Sequence, residues 1–168
     1  FMKTLKRFAA VAMAGAMMAG SAMTAMAATP TSVPPYFYLL WNADHDASTP
    51  DEFAASPMGD ECIADFSVDE DGNVTMLLQE MSYGGSTGSI SNAYIDSNGN
   101  GQEDEGESIV ATWEDGIATS LAYNQYEQAV DLDENYAGEL AGEYVPVHLE
   151  FEVSVMHLPY DVYIPVIE

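Results

Sequence analysis

Residues Val147 to Val155 alternate without a break. Val147, Leu149, Phe151, Val153 and Val155 fall on one side of an extended chain, and His148, Glu150, Glu152 and Ser154 on the other. Successive side chains of a strand point to opposite faces, so the pattern describes a strand with one face buried and one in water. A helix would need its apolar positions three and four apart. Half-buried strands of this kind belong to antiparallel sheets.

The rest of the chain supplies partners for that strand. Tyr36 to Trp41 and Ile63 to Val68 read as strands, and Asp69 to Asn73 as a hairpin turn with the Asp-Gly signal. Val74 to Tyr83 is the return strand, with Val74, Met76 and Leu78 on one face. A Gly/Ser loop spans Gly84 to Gly88, and strands follow over Ser89 to Ile95 and Ser108 to Trp113. Glu114-Asp115-Gly116 is a turn into Ile117 to Tyr126, a strand whose stretch Ala118 to Gln125 also suits a helical turn. Asp131 to Gly142 reads as an acidic loop. Pro159 is expected to turn the chain into a last strand, Tyr160 to Ile167. Asn42 to Asp60 is turn-rich, and Pro and acids over Pro50 to Ala55 suit the start of a short helix. Strands and turns at this spacing predict an all-β, immunoglobulin-like antiparallel β-sandwich of seven to eight strands with one short helix.

Three segments divide the chain. Residues 1–27 carry Lys3, Lys6 and Arg7, then a run of Ala, Met, Val and Gly, then the small-x-small site Ala25-Met26-Ala27. That is the pattern of a secretory signal, and it implies a secreted, extracellular protein. Phe1 has no assignable role. Residues 28–35 form a loose Pro/Thr/Ser leader, and 36–168 the β-sandwich domain. Cys62 is the only cysteine, so an internal disulfide is excluded, and with no adjacent base in sequence it reads as a small core residue.

Charge then narrows the partners. The chain has 3 Lys and Arg against 28 Asp and Glu, and all three basic residues lie in the signal. Removing it takes the formal charge from −25 to −28. Such a surface repels nucleic acid and anionic membranes, and no stable membrane association is expected. It attracts dications and basic proteins. It also serves solubility and leaves no bond for a protease that cuts after Lys or Arg.

Asp96 to Glu107 fits the twelve-position calcium loop D-x-[DN]-x-[DN]-G-x5-E at every named position. A hard dication takes six to eight oxygens at about 2.3–2.6 Å. Asp96, Asn98 and Asn100 offer side-chain oxygens, Gln102 a carbonyl, Asp104 a direct or water-mediated contact, and Glu107 a bidentate closure. Gly101 permits the bend. The β-prone flanks, and Glu103 where a helix–loop–helix hand is apolar, place the loop between two strands. Residues 94–107 resemble the calcium loops of B-type repeats in Gram-positive adhesins. Calcium is therefore the expected cofactor, as a brace on the fold.

A wider likeness runs over residues 55–166. Ser56-Pro57-Met58-Gly59, the hairpin at Gly72, Gln79 to Gly84, and the closing pair Val147–Met156 and Tyr160–Val166 resemble the layout of NEAT-type (near-iron transporter) haem-binding domains. Those domains are immunoglobulin-like sandwiches on Gram-positive surfaces. The resemblance implies Tyr160 as iron ligand, Met58 on a helical lip, and haem as a second cofactor. The family's second tyrosine stands four residues on, where this chain has Ile164; Tyr163 is the nearest tyrosine, and alternation puts it on the opposite face. Met156 and His157 at the hairpin tip are substitute ligands of a kind haem iron accepts. Propionates favour cations, and residues 28–168 have no Lys or Arg.

The remaining residues carry little chemistry. His45 lies between Asp44 and Asp46, a weak metal site or a polar loop, and His148 lies on the solvent face of its strand. Neither an H-E-x-x-H nor a G-x-S-x-G motif occurs, so no enzyme is expected. Tyr123, Tyr126, Tyr136 and Tyr144 near the acidic segment suit either a contact surface or ordinary packing. The expectation is a monomeric, calcium-stabilised binding module, first for haem, and in the alternative a structural or adhesive module for a basic extracellular protein.

Overall fold

The structure, a computed structural model, describes residues 36–42, 46–83, 85–107 and 109–168. The expected signal at 1–27, the expected leader at 28–35 and His45 lie outside the described residues. Among the described residues, eleven strands form two sheets. The larger contains β1 (Phe37–Trp41), β2 (Glu52–Ser56), β5 (Met81–Tyr83), β6 (Ser86–Ile95), β9 (Val130–Leu132), β10 (Gly142–Val153) and β11 (Met156–Pro165). Its order is β2-β1-β11-β10-β6-β5, with β9 paired to the start of β10. The smaller contains β3 (Ile63–Val68), β4 (Asn73–Leu78), β7 (Val110–Glu114) and β8 (Ile117–Asn124), in the order β3-β4-β8-β7. Each strand pair is antiparallel.

The two sheets pack face to face over one core. Phe37, Ile95, Leu149, Phe151 and Ile164 from the larger sheet meet Phe66, Val74, Met76 and Leu121 from the smaller, all at or below 1 % exposure. Burying each such side chain contributes about 1.5–3 kcal/mol, which a domain without disulfides needs. The chain is thus the all-β antiparallel sandwich that its strand spacing implies.

The strand count exceeds seven to eight for particular reasons. Val74–Tyr83 is not one strand: it breaks after Leu78, and Met81–Tyr83 changes sheets. The strand β6 begins inside the Gly/Ser segment, at Ser86 after the turn residue Gly85, and its Gly88 pairs with both Met81 and Val153. A Cβ at Gly88 would stand 2.7 Å from Val153 Cγ2, so glycine there permits close approach rather than a turn. Within the acidic stretch 131–142, β9, α3 (Glu134–Ala137) and a 3-10 turn (Gly138–Leu140) form instead of a plain loop.

The expected helix at Pro50–Ala55 is a strand. Glu52–Ser56 pairs with the whole of β1, and Phe53 on it is 8 % exposed within a separate aromatic cluster. The helix α1 (Pro57–Cys62) begins directly after. Ser56 caps it by accepting from Met58 N at 3.3 Å, and Pro57 sits in its first turn, where a missing N–H costs nothing. A single helical turn, α2 (Gln125–Gln128), also follows β8, capped by Asn124.

Two readings at the closing hairpin change. Val155 is 89 % exposed, because the alternation ends at Val153 and Ser154-Val155 form the turn. Pro159 does not turn the chain; it lies within β11 opposite Glu150. β1 pairs β11 at Tyr38–Tyr163 and ends before reaching Pro159, so this part of β11 has β10 on one side and is open on the other, a setting in which a sheet accepts proline. Among the described residues, no helix is long and apolar enough to cross a membrane.

Candidate functional site

The twelve-residue acidic loop occupies a defined place: it leaves β6 in the larger sheet and enters β7 in the smaller. It is therefore a tie between sheets. Ile95 N donates to Glu107 O at 3.0 Å, joining the two ends, and Asp96 N donates to Pro146 O on β10 at 3.1 Å. Gln128 of α2 reaches the Gly106 carbonyl at 2.9 Å.

Inside the loop the expected ligands face one another. Asp96 is 8 % exposed; its two oxygens accept from Asn100 N at 3.0 Å and Gly101 N at 2.9 Å. Asn98 and Asn100 both donate through Nδ2 to one oxygen of Asp104, at 2.8 and 2.7 Å. Glu107 is 5 % exposed and accepts from Ser97 N and Asp104 N, at 3.0 and 3.2 Å, and from Ser97 Oγ. Gln102 N donates to Asn100 Oδ1 at 2.8 Å. Gly99, Gly101 and Gly106 take positive φ, which lets the chain coil this tightly. In this arrangement the carboxylates are turned toward the loop's own amides. Among the described residues, no three His, Cys, Asp or Glu side chains converge as a metal-holding group. The donors themselves are all oxygens, with half-turns of the Asn98 and Asn100 amides exchanging nitrogen for oxygen, so their chemistry suits a hard dication. Two buried carboxylates, with no Lys or Arg among the described residues, also profit from one.

The residues matched to haem binding are divided by the larger sheet. Met58 is 8 % exposed in the main core. Tyr160 packs against that core, its ring 5.9 Å from Phe151. Tyr163 points to the outer face, where Tyr38, Phe53, Tyr136 and Tyr144 surround it. Burial, then a 3.4 Å hydrogen bond from Tyr136, pushes its phenol up. Met156 and His157 are exposed beside the hairpin turn. The sheet thus separates Met58 and Tyr160 from Tyr163, as strand alternation requires.

That outer face holds features sequence reasoning missed. His148 is not simply solvent-facing: its side chain is 14 % exposed, stacked 4.8 Å from the Tyr94 ring. Its Nδ1 lies 2.7 Å from Asp161 and its Nε2 3.9 Å from Glu150. Next to it opens a cavity of about 1070 Å³, floored by β1, β10 and β11 and walled by residues 46–51 and by the acidic loop at Gly99–Gly101. Tyr160 and Tyr163 both border it. The residues come from segments over a hundred positions apart, so no local motif signals them. Of the four tyrosines near the acidic segment, Tyr123 and Tyr144 are buried, while Tyr126 and Tyr136 remain on the surface.

Fold and site together define an antiparallel β-sandwich whose sheets are joined by an acidic, calcium-loop-like crossover. No protein-family model matches the chain, and neither a curated protein nor a solved structure matches it.

Proposed function

We propose that this is a secreted, calcium-clamped β-sandwich that holds a basic extracellular polypeptide on its acidic surface. The carrying observation is uncompensated charge. Residues 8–168 contain every Asp and Glu of the chain and no Lys or Arg. Among the described residues, the one side chain within ion-pair distance of a carboxylate is His148. The remaining carboxylates of the described residues have no cationic side chain beside them, so a basic partner gains attraction without breaking internal pairs.

Binding of a defined arginine- and lysine-rich polypeptide to the purified protein, measured at rising salt, tests this. Affinity is expected to fall by about tenfold or more between low and high salt, because exposed charges are screened within a Debye length. Salt-insensitive binding, or none, would sink the reading. Haem is the second reading, supported by the cavity that Tyr160 and Tyr163 both border. A haemin Soret shift lost in Tyr160→Phe would favour it over the first. Against it stands the separation of the candidate ligands, with Met58 and Tyr160 on the core side of the sheet and Tyr163 on the other.

A further inference from the structure

The outer-face cavity combines two kinds of surface. Tyr136 and Tyr163 supply rings, Trp41, which packs against the main core, borders it from the end of β1, and Asp46, Asp51 and Asp161 supply carboxylates. The Tyr136 and Tyr163 rings stand 5.7 Å apart at 62°, making a corner rather than a flat wall. Asp161 keeps its side chain 74 % exposed while one oxygen contacts His148. Ser48 donates to Asp46 through its amide and its hydroxyl, at 2.8 and 2.7 Å, and so holds that carboxyl below its usual range. Asp51 is exposed. An anionic ligand would meet these carboxylates with no Lys or Arg to receive it. A simple ammonium would find the charge but not use the rings fully. A guanidinium uses both, being planar, weakly hydrated, permanently charged and able to stack on an aromatic face while its fork engages a carboxylate.

We propose that this cavity receives an arginine side chain presented by a basic polypeptide. The inference rests on the acidic-surface reading above and assigns it a specific seat. Specificity then lies in the outer face of β1 and β11, and the rest of the acidic surface supplies attraction without selection.

The test uses the full chain carrying Trp113→Phe, which leaves Trp41 as the only tryptophan. A blocked Gly-Arg-Gly peptide is titrated at fixed calcium and ionic strength, followed by Trp41 fluorescence, beside the lysine and citrulline equivalents. The arginine peptide is expected to change the emission saturably, the lysine peptide to bind several-fold more weakly, and the uncharged citrulline peptide not to bind. The double variant Asp51→Asn/Asp161→Asn is expected to weaken arginine binding by about tenfold. Glu80→Gln/Glu114→Gln removes the same charge from exposed positions outside the cavity and should weaken it by no more than about twofold. All four acids are exposed, and melting curves check that each variant folds. Equal losses in the two variants, or equal binding of arginine and citrulline, would overturn the cavity assignment. If the longer basic polypeptide still bound in a salt-sensitive way, the acidic-surface reading would stand alone. Binding of neither peptide nor polypeptide would overturn both.

Discussion

At the scale of single residues, burial decides chemistry that composition leaves open. Cys62 is 1 % exposed at the end of α1, and burial pushes its thiol up to about 12. The thiolate is the reactive species, so native protein at pH 8 is expected to resist a thiol reagent and to label only at the rate of unfolding. Rapid labelling under native conditions would show that α1 opens locally. The sign of the pH effect follows from the same shift. The unfolded thiol loses its proton near its ordinary value of 9.0, and the folded one does not until about 12. This contribution to stability is intact below pH 9 and declines as pH rises through that window. Cys62 as a core residue was legible from its lack of a neighbouring base. The role of Gln125 was not. It is 1 % exposed, and its amide clasps Ile167 through both backbone groups, at 2.7 and 3.1 Å. A glutamine in an acidic, polar stretch carries no mark of a partner 42 residues away.

At the scale of elements, local rules succeed where a segment's own chemistry settles its state. The turn at Asp115-Gly116 has positive φ at both residues, as a two-residue hairpin with right-handed twist demands. Gly72 takes φ +82 beneath Tyr126, whose ring stands 2.3 Å from where a Cβ would be. Both turns were readable from Asp-Gly. The boundaries that moved were those set by a neighbour: Glu52–Ser56 is extended because β1 offers it an edge, and Pro159 is tolerated because β1 ends short of it. The acidic loop is the element with the clearest test. Because it joins the two sheets, a bound dication would brace both. A calcium concentration about a hundredfold above the dissociation constant stabilises the folded state by about 2.7 kcal/mol. The melting temperature should therefore rise with calcium, and Asp96→Ala should abolish the rise. A rise that survives Asp96→Ala would place the ion elsewhere.

At the scale of the whole molecule, the balance between core and charge governs stability. One core of aliphatic and aromatic side chains holds the sandwich against the mutual repulsion of its carboxylates. Raising sodium chloride from about 0.02 to 0.5 M shortens the Debye length and is expected to raise the melting temperature even without calcium. A melting temperature independent of salt would mean that the carboxylates are spaced too widely to repel. The sequence by itself determined the class of fold, because alternation, Asp-Gly turns and strand spacing are local properties that the pleat reads directly. It also determined the acidic loop's residues and the one-sided charge. Only the tertiary structure decided that the loop ties one sheet to the other. The same holds for Trp41, Asp51, Tyr136 and Asp161 meeting around one cavity. Those relations depend on which strands lie side by side, and that order is set by burying a shared core between distant segments, which no local pattern encodes.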